Sequence, residues 1–349
     1  MTTQGSVQTM TAPEPSAVAL GTAGWGGGWG VEPLDKQAWA EAEATARAAL
    51  EAALQAGITT VDTADIYAHG RSEETLGRLL TADPGLREHI RLQTKCGIMI
   101  GGSPLYGVDG APAVQSTRYD SSAEHVRRAV SGSLQRLCTD HVDTLIIHRP
   151  DPLTPPEQTV QAYLELRKTG AVGSLGLSNM GVAWVRRFDD ALRAATGGEE
   201  GIACLQIELG LHHRGLVESA VLVNHPDSAD RAVVGEAGGL AELCAERGIA
   251  LQAWGSLGQG RYTRGAEQTA DQDREAAAVV AEIAGRLEVS GEAVVLAWLL
   301  KLPWRIQPVV GTVNPDRLRA AAQAPVAADR MDSLDWYRLW TAARGAPLP

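Results

Sequence analysis

The chain alternates between two kinds of hydrophobic pattern. Short apolar runs rich in Val, Ile and Leu, typical of buried strands, are followed by longer stretches in which apolar residues recur at helical spacing. The clearest unit is an alanine-rich stretch at 36–56, which predicts a helix that ends at Gly57, followed by a β-branched run at 59–65. The same pattern predicts eight strands, at 17–21, 59–65, 90–95, 142–148, 173–178, 202–209, 249–254 and 307–311.

Each predicted strand is followed by a predicted helix. Ser72 is the expected N-cap of the second helix, because two acids follow it in the first turn. The helices are predicted at 36–56, 72–80, 122–138, 156–168, 182–195, 240–247, 276–287, 292–302 and 315–322.

Eight alternations with short apolar strands favour an α/β fold in which a parallel sheet closes into a (β/α)8 TIM barrel. Alternation alone also permits a doubly wound sheet. We expect a single domain at 17–349, a disordered tail at 1–16 and a long polar insertion at about 101–119. An extra C-terminal helix that packs on the barrel is predicted from a cluster at Trp336, Tyr337, Leu339 and Trp340.

Composition narrows the class of protein. The chain has 349 residues, of which 44% are hydrophobic and 21% charged, a balance that supports a full core. Its net charge of −11 disfavours nucleic acid as a partner. No apolar run reaches the length of about 18 residues expected of a membrane span, and the N-terminal sequence lacks the pattern of a signal peptide. Four widely spaced cysteines fit a reducing compartment, so we expect a cytoplasmic protein.

A glycine-rich loop follows the first strand, at 24–30. It contains neither the G-x-G-x-x-G pattern of dinucleotide-binding folds nor a P-loop, so it does not predict a nucleotide site. We expect its glycines to let the backbone approach a ligand, with Trp25 and Trp29 as walls of a substrate pocket.

Four side chains with complementary chemistry follow three of the predicted strands. Asp62 and Tyr67 follow the second strand, Lys95 ends the third and His148 ends the fourth, and the C-terminal strand ends of such a barrel meet at one site. A phenol with a pKa of about 10 is a poor acid near neutral pH. We expect Lys95 to lower the pKa of Tyr67, while Asp62 keeps the lysine charged. His148 would orient a carbonyl oxygen, and Tyr67 would protonate the alkoxide that forms as hydride arrives.

Simpler interpretations exist for these and neighbouring residues. Asp65 is expected to be a structural turn acid, and Arg149 and Asp151 are expected to form a local ion pair. Lys95 at the end of a barrel strand is also typical of a Schiff-base lyase. We expect no metal site, since one acid and one histidine are too few ligands.

The motifs around these residues resemble those of the aldo-keto reductase family over nearly the whole chain. The matching segments are DTADIY at 62–67 with SEETLG at 72–77, Thr94-Lys95, IHRPDP at 147–152 and GLSN at 176–179. The HRPDP form is similar to a bacterial subgroup of oxidoreductases. The resemblance implies an NADPH-dependent carbonyl reductase with Tyr67 as acid, Lys95 and Asp62 as its tuning pair, and His148 as the group that orients the substrate.

The same resemblance implies a set of residues that bind NADPH or NADP+. Ser178, Asn179 and Gln206 match the groups that hold the nicotinamide carboxamide, and Trp254 takes the place of the aromatic residue that stacks on the ring. The family commonly has a lysine at the position of Gly311, so here Arg317 is left to pair a 2′-phosphate. NADPH is still favoured over NADH, but by a smaller margin than if that lysine were present. The cofactor phosphates are expected along Gly255, Ser256, Leu257, Gly258, Gln259, Gly311, Thr312, Asn314 and Arg317.

The sequence therefore predicts a cytoplasmic, NADP-dependent oxidoreductase that interconverts a small aldehyde or ketone with its alcohol. We expect a monomer or small homo-oligomer that binds neither nucleic acid nor membrane. An NADPH-binding regulatory subunit of the same fold is the alternative, and a Schiff-base lyase that uses Lys95 is a third possibility. The loops that would select the substrate carry no motif. The tryptophans indicate an apolar or cyclic substrate.

Overall fold

The centre of the molecule is a closed barrel of eight parallel strands. The computed structural model describes residues 13–106, 114–221, 238–264 and 269–348. Two further strands, β4 and β5, form an antiparallel hairpin outside the barrel. In chain order the strands are β1 (Ala19–Gly21), β2 (Thr60–Asp62), β3 (Arg91–Cys96), β4 (Ile98–Met99), β5 (Arg118–Tyr119), β6 (Val142–Ile147), β7 (Val172–Ser178), β8 (Cys204–Glu208), β9 (Ala250–Trp254) and β10 (Ile306–Val310).

The barrel closes because β1 pairs in parallel with both β2 and β10. This closure confirms the predicted (β/α)8 barrel and excludes the doubly wound sheet. The surrounding helices are α1 (Lys36–Gln55), α2 (Arg71–Ala82), α3 (Ala123–Leu137), α4 (Pro156–Lys168), α5 (Val182–Ala195), α6 (Gly215–Val221), α7 (Leu240–Arg247), α8 (Arg274–Leu287), α9 (Gly291–Leu300), α10 (Pro315–Ala321), α11 (Ala324–Arg330) and α12 (Ser333–Arg344).

The predicted C-terminal helix is confirmed as α12, and it is attached through aromatic contacts. Trp336 of α12 stacks on Trp298 of α9, with ring centroids 5.2 Å apart, and its Nε1 donates to the Trp298 carbonyl at 2.9 Å. Helix α9 is apolar on all sides because α8, α10 and α11 pack around it. The short helix α11, absent from the prediction, supplies part of that cover. No helix of the described ranges is long and apolar enough to cross a membrane.

The predicted tail and insertion lie only partly within the described residues. Positions 1–12 and 107–113 fall outside them. Ser16, which we assigned to the tail, is bonded to the barrel, since its Oγ accepts from the backbone N–H groups of Thr59 and Thr60 at 3.1 Å. The insertion contributes strand β5, which pairs antiparallel with β4.

Helix α2 begins differently from the prediction. Its N-cap is Gly70, with a φ of 88°, and Ser72 lies inside the first turn. The buried Ser72 hydroxyl donates to the Thr22 carbonyl at 2.8 Å and lies 2.7 Å from the Thr22 hydroxyl. The predicted N-cap is therefore wrong. The sequence could not show this, since a serine followed by two acids is expected both where its hydroxyl caps its own helix and where it bonds to a neighbouring loop.

The barrel interior contains a chain of hydrogen-bonded amides, which we call the amide network: Gln93, Gln206 and Gln252, which are buried, and Gln307, which is half-buried. Gln252 Oε1 accepts from Gln93 and Gln206 at 2.9 and 3.0 Å, and Gln252 Nε2 donates to Gln307 at 2.8 Å. Gln307 in turn donates to Thr60 and to the Ser16 carbonyl. Buried amides are tolerated because their polar atoms are bonded to one another, and the network connects β3, β8, β9 and β10 below the site.

We expect Gly77→Ala to destabilise the fold, because a Cβ on Gly77 of α2 would lie 2.0 Å from the carbonyl oxygen of Arg136 in α3. The two helices would have to separate, which should lower the free energy of unfolding by about 3 kcal/mol. Urea denaturation measures this change. The matched control is Gly285→Ala in α8, where a Cβ meets no atom within 4 Å, and where alanine should stabilise by about 0.5–1 kcal/mol. Equal effects of the two substitutions would contradict the packing argument.

Candidate active site

The C-terminal ends of the barrel strands surround a cavity of about 300 Å³, which we call the reaction cavity. Its lining also includes Ile98 of the hairpin and Arg149, neither of which we predicted as a site residue. The predicted site residues that line it are Asp62, Tyr67, His148, Ser178, Asn179, Gln206, Trp254, Gly255 and Gly311. Residues from six different strands thus meet at one cavity, as expected for a barrel.

Lys95 lies beneath this cavity with no exposed surface. Its Nζ donates to Asp62 Oδ2 at 2.8 Å, to the Thr63 carbonyl at 2.7 Å and to Tyr67 Oη at 3.1 Å. Burial disfavours the charged lysine, but the charges and hydrogen bonds of Asp62 and Tyr67 outweigh it and raise the pKa of Lys95. The lysine is therefore held as a cation next to the tyrosine hydroxyl.

Tyr67 is positioned by a tight turn at Tyr67–Gly70, in which Ala68 and His69 have positive φ angles of 48° and 57°. Burial raises the pKa of Tyr67 above its ordinary value, and the charge of Lys95 offsets only part of this increase. Lys95 thus acts on the pKa of Tyr67 in the expected downward direction, but burial outweighs it and the net shift is upward. The extent of desolvation, which the sequence does not contain, decides the sign.

Asp62 is held from both sides. One carboxylate oxygen accepts from Lys95, and the other, Oδ1, accepts from Gln93 Nε2 at 2.7 Å and from Gln206 Nε2 at 2.8 Å. Two amides of the network thus fix the acid that holds the lysine. Gln93 was not among the predicted site residues, since a glutamine inside a barrel strand has no sequence signal that separates it from other interior residues.

His148 is buried beside the tyrosine, with the two ring centroids 6.1 Å apart and nearly perpendicular planes. Burial, with the charges of Lys95 and Arg149, lowers the pKa of His148 well below its ordinary value. The imidazole is therefore neutral near neutral pH. Its Nδ1 has no hydrogen-bond partner among the described residues. A neutral imidazole and a protonated phenol can both donate a hydrogen bond to one carbonyl oxygen.

Three predicted cofactor residues are linked on the opposite side of the reaction cavity. Asn179, in the left-handed region with a φ of 54°, donates to Ser178 Oγ at 2.8 Å. Trp254 Nε1 donates to Asn179 Oδ1 at 3.1 Å, which fixes the plane of the indole. Gln206 uses its Nε2 for Asp62 and Gln252, while its Oε1 makes no hydrogen bond with a described residue.

A second cavity of about 510 Å³ adjoins the first and shares Trp254, Gly255 and Gly311 with it. Asn314 does not line it but caps α10, where its Oδ1 accepts from the N–H groups of Asp316 and Arg317. Glu292 lines this cavity and was not predicted, because it follows no recognisable motif. The remaining predicted residues that line it are Ser256, Leu257, Gly258, Gln259, Thr312 and Arg317.

The two tryptophans predicted as pocket walls lie in different environments. Trp25 is 2% exposed and belongs to the hydrophobic core, so it does not line the reaction cavity. The prediction that Trp25 is a pocket wall is therefore wrong, because Trp25 packs in the core. Trp29 is 52% exposed and is also not among the residues that line the reaction cavity. It meets the ring of Tyr67, which does line the cavity, edge to face with centroids 6.2 Å apart, so its role as a pocket wall stays a prediction.

Two further acids, Asp65 and Asp151, lie near the site, and neither pairs with Arg149. Asp151 accepts from the Ser121 and Leu153 N–H groups and the Thr154 hydroxyl, so the predicted pair with Arg149 does not form. Burial and the charge of Glu73 raise the pKa of Asp65 to about 8. Within the described ranges, no three His, Cys, Asp or Glu side chains come together in a way that could hold a metal ion.

Comparison with known proteins gives similar chains of comparable length. The uncharacterized oxidoreductase YcsN of Bacillus subtilis is 33% identical over 312 residues, which cover 89% of this chain and 92% of that protein. The 6-dehydroglucose reductase of Agrobacterium fabrum is 36% identical over 296 residues, covering 85% of this chain and 86% of the relative.

A solved structure shows the same fold. The aldo-keto reductase from Klebsiella pneumoniae in complex with NADPH superposes with a TM-score of 0.65 at 22% identity, covering 96% of this chain and 93% of that one. The model of the aldo/keto reductase family matches residues 17–335, which include every strand of the barrel and the four residues Asp62, Tyr67, Lys95 and His148. The chain belongs to the aldo/keto reductase family.

Proposed function

We propose that this protein is an NADPH-dependent oxidoreductase that reduces an aldehyde or ketone to its alcohol, or catalyses the reverse reaction, with Tyr67 as the proton donor. The observation that supports this most directly is the chain of contacts from Asp62 through Lys95 to the Tyr67 hydroxyl at the floor of the reaction cavity. A phenol, a lysine cation and a neutral imidazole around one cavity are the groups that carbonyl reduction needs.

The residues present fit a nicotinamide cofactor. The unbonded Oε1 of Gln206 can accept from a carboxamide, and Trp254 offers a fixed indole face beside it. The second cavity, with Arg317 at its rim and several glycines in its lining, can take the phosphates. When bound, NADPH supplies the hydride.

Tyr67 and three residues near it would then act together during reduction. His148 and Tyr67 donate hydrogen bonds to the carbonyl oxygen and so hold it in place. Tyr67 transfers its proton as negative charge develops on that oxygen, and the adjacent Lys95 cation stabilises the phenolate that remains. Asp62, fixed by Gln93 and Gln206, keeps Lys95 charged and in position.

The contacts of Lys95 disfavour a Schiff-base lyase. The amine has no exposed surface and is bonded to three oxygens. An amine that attacks a carbonyl must be neutral and must reach the substrate, whereas the pKa of Lys95 is raised.

One relative gives a candidate substrate class. The Agrobacterium protein that is 36% identical is a 6-dehydroglucose reductase, so we propose a sugar aldehyde as the first substrate to test. The polar Arg149 on the wall of the reaction cavity is compatible with a hydroxylated substrate, in contrast to the apolar substrate that the tryptophans indicated.

We also propose a cytoplasmic protein with a single barrel domain at 17–349. All four cysteines are free thiols, and three of them, Cys96, Cys204 and Cys244, are buried. Burial raises the pKa of Cys204 and of Cys244 to about 12, which keeps both as unreactive thiols. Unpaired thiols of this kind are typical of a reducing compartment.

Tyr67→Phe is expected to lower kcat by about 100-fold or more, because it removes the hydroxyl that is bonded to Lys95 and that would donate the proton. NADPH affinity, measured by fluorescence titration, should be unchanged, since the cofactor residues lie on other strands. Tyr337→Phe, an exposed tyrosine on α12, serves as the matched control. Activity within tenfold of wild type would remove Tyr67 as proton donor. A wild type that binds NADPH but reduces no compound of a broad carbonyl panel would instead favour the regulatory subunit.

The pKa shifts predict the pH dependence of the reaction. Because the pKa of Tyr67 is raised, the phenol stays protonated, and kcat/KM for reduction should be level from about pH 6 to pH 9. Alcohol oxidation requires the phenolate and should accelerate as pH rises. The depressed pKa of His148 predicts no inflection near about pH 6.5. Stopped-flow pH profiles in both directions check this, and an acid limb at the ordinary pKa of histidine would contradict a neutral His148.

Arg317→Met is expected to raise the KM for NADPH by about tenfold while leaving that for NADH unchanged, because Arg317 is the cation at the rim of the second cavity. The control is Arg319→Met, two positions further along α10, whose guanidinium pairs with Asp316 instead. Initial rates with both cofactors measure the ratio. A preference for NADPH that survives Arg317→Met would place 2′-phosphate recognition elsewhere.

A further inference from the structure

The glycine-rich loop after β1 is wrapped around one side chain of the protein itself. Arg71, the first residue of α2, is only 8% exposed. Its Nε donates to the Gly26 carbonyl at 2.9 Å, and its Nη2 donates to the carbonyls of Gly28 and Gly30 at 2.7 and 2.6 Å. The group that the glycines allow to approach is therefore a guanidinium, and it forms no salt bridge with a described residue.

The loop can adopt this shape only with glycine. Gly26, Gly27 and Gly28 have consecutive positive φ angles of 78°, 75° and 90°, a run that other residues adopt at considerable cost. A Cβ on Gly26 would lie 2.7 Å from the Arg71 backbone and side chain. The turn directs three carbonyls at one cation, and charge-assisted hydrogen bonds of this kind are stronger than neutral ones.

A second contact holds the same loop from the turn that follows Tyr67. His69 Nε2 lies 3.1 Å from the carbonyl oxygen of Trp29, and His69 Nδ1 lies 2.9 Å from the Ser103 hydroxyl. His69 reaches both because its own backbone is in the left-handed region, with a φ of 57°. Strained conformations of this kind persist where surrounding contacts determine them.

These contacts converge on Trp29. The carbonyls of three successive residues, Gly28, Trp29 and Gly30, are each bonded to Arg71 or His69. The indole itself is half exposed, and it meets the rings of Tyr67 and His69 edge to face, with centroids 6.2 Å away in both cases. The hydrogen bonds of the backbone at 28–30 therefore help to set its position.

We propose that Arg71 is a positioning residue, which fixes the loop at 26–30 and thereby holds the Trp29 indole against Tyr67 as a preformed wall of the substrate pocket. The inference rests on the proposed function in taking Tyr67 as the reacting group. His69 supports the same wall from the other side. Without the guanidinium, the loop has no comparable group to order its carbonyls, and Trp29 samples other positions at the cost of substrate affinity.

A double-mutant cycle tests whether Arg71 acts through Trp29. Arg71→Met and Trp29→Ala are each expected to raise the KM of a carbonyl substrate by about 5- to 20-fold with a smaller change in kcat. The double variant should be no worse than the worse single variant, because both remove the same wall. Arg71→Lys keeps the positive charge but replaces the planar guanidinium with an ammonium group, which cannot bond all three carbonyls in the same geometry. Its KM should therefore lie between those of wild type and Arg71→Met. Arg78→Met, on the same helix but paired with Glu43 and Glu74, is the control.

Multiplicative losses in the double variant would overturn the inference, since they would show that Arg71 affects the reaction independently of Trp29. So would an Arg71→Met variant with the KM of wild type. His69→Ala, which removes one bond to the loop and leaves Arg71 in place, should raise KM by a smaller factor and provides a second variant if Arg71→Met folds poorly.

Hydrogen–deuterium exchange tests the same inference without any turnover. Peptides that span 24–31 should exchange at least tenfold faster in Arg71→Met than in wild type, while peptides from β6 and β7 remain unchanged. Unchanged exchange at 24–31 would overturn the positioning role even if the enzyme is active. If wild type reduces no carbonyl compound but the exchange result holds, the proposed function fails and the role of Arg71 stands.

Discussion

The ion pair between Lys95 and Asp62 is the interaction on which the rest of the site depends. Lys95 is completely buried, and a buried cation is expensive unless it is paired and fully bonded. Here Asp62, the Thr63 carbonyl and Tyr67 occupy its three N–H groups. Removing one partner of such a pair typically costs about 3–5 kcal/mol, because the other charge is left uncompensated. The lysine therefore constrains the backbone at the end of β2 and the orientation of the phenol together.

The closed barrel supplies the support for this pair. Asp62 Oδ1 is bonded to Gln93 and Gln206, and Gln252 joins both to Gln307. The acid is thus fixed by amides from strands on several sides of the barrel rather than by a loop. Groups placed on rigid elements and held by a second layer of hydrogen bonds keep their geometry better than groups on loops. Gln206 belongs to both the support and the cavity wall, which couples the position of Asp62 to the surface where we propose that the nicotinamide binds.

The parts of this arrangement that could be predicted are those set by local sequence. The spacing from Asp62 to Tyr67 and the strand ends at Lys95 and His148 follow from periodicity and from where parallel strands deliver their side chains. The structure brings these residues together as expected. The placement of Trp25 in the core and of Ser72 against Thr22 could not be predicted, because both depend on contacts between segments distant in sequence. The amide network has the same origin, since a glutamine inside a strand does not reveal which way it faces.

The net direction of the Tyr67 pKa shows a further limit of sequence reasoning and also clarifies the chemistry. Burial raises the pKa of Tyr67 and lowers that of His148, so both groups are neutral proton carriers around neutral pH. Lys95 and Asp62 form an ion pair beneath the phenol, and their charges largely cancel before reaction. As a carbonyl oxygen gains negative charge, the phenol would donate its proton to it, and the lysine would stabilise the phenolate that forms. A neutral carbonyl in the ground state would gain little stabilisation from the lysine. Under the mechanism we propose, such a site favours the transition state over the substrate, because burial keeps the phenol protonated until negative charge develops on the substrate oxygen.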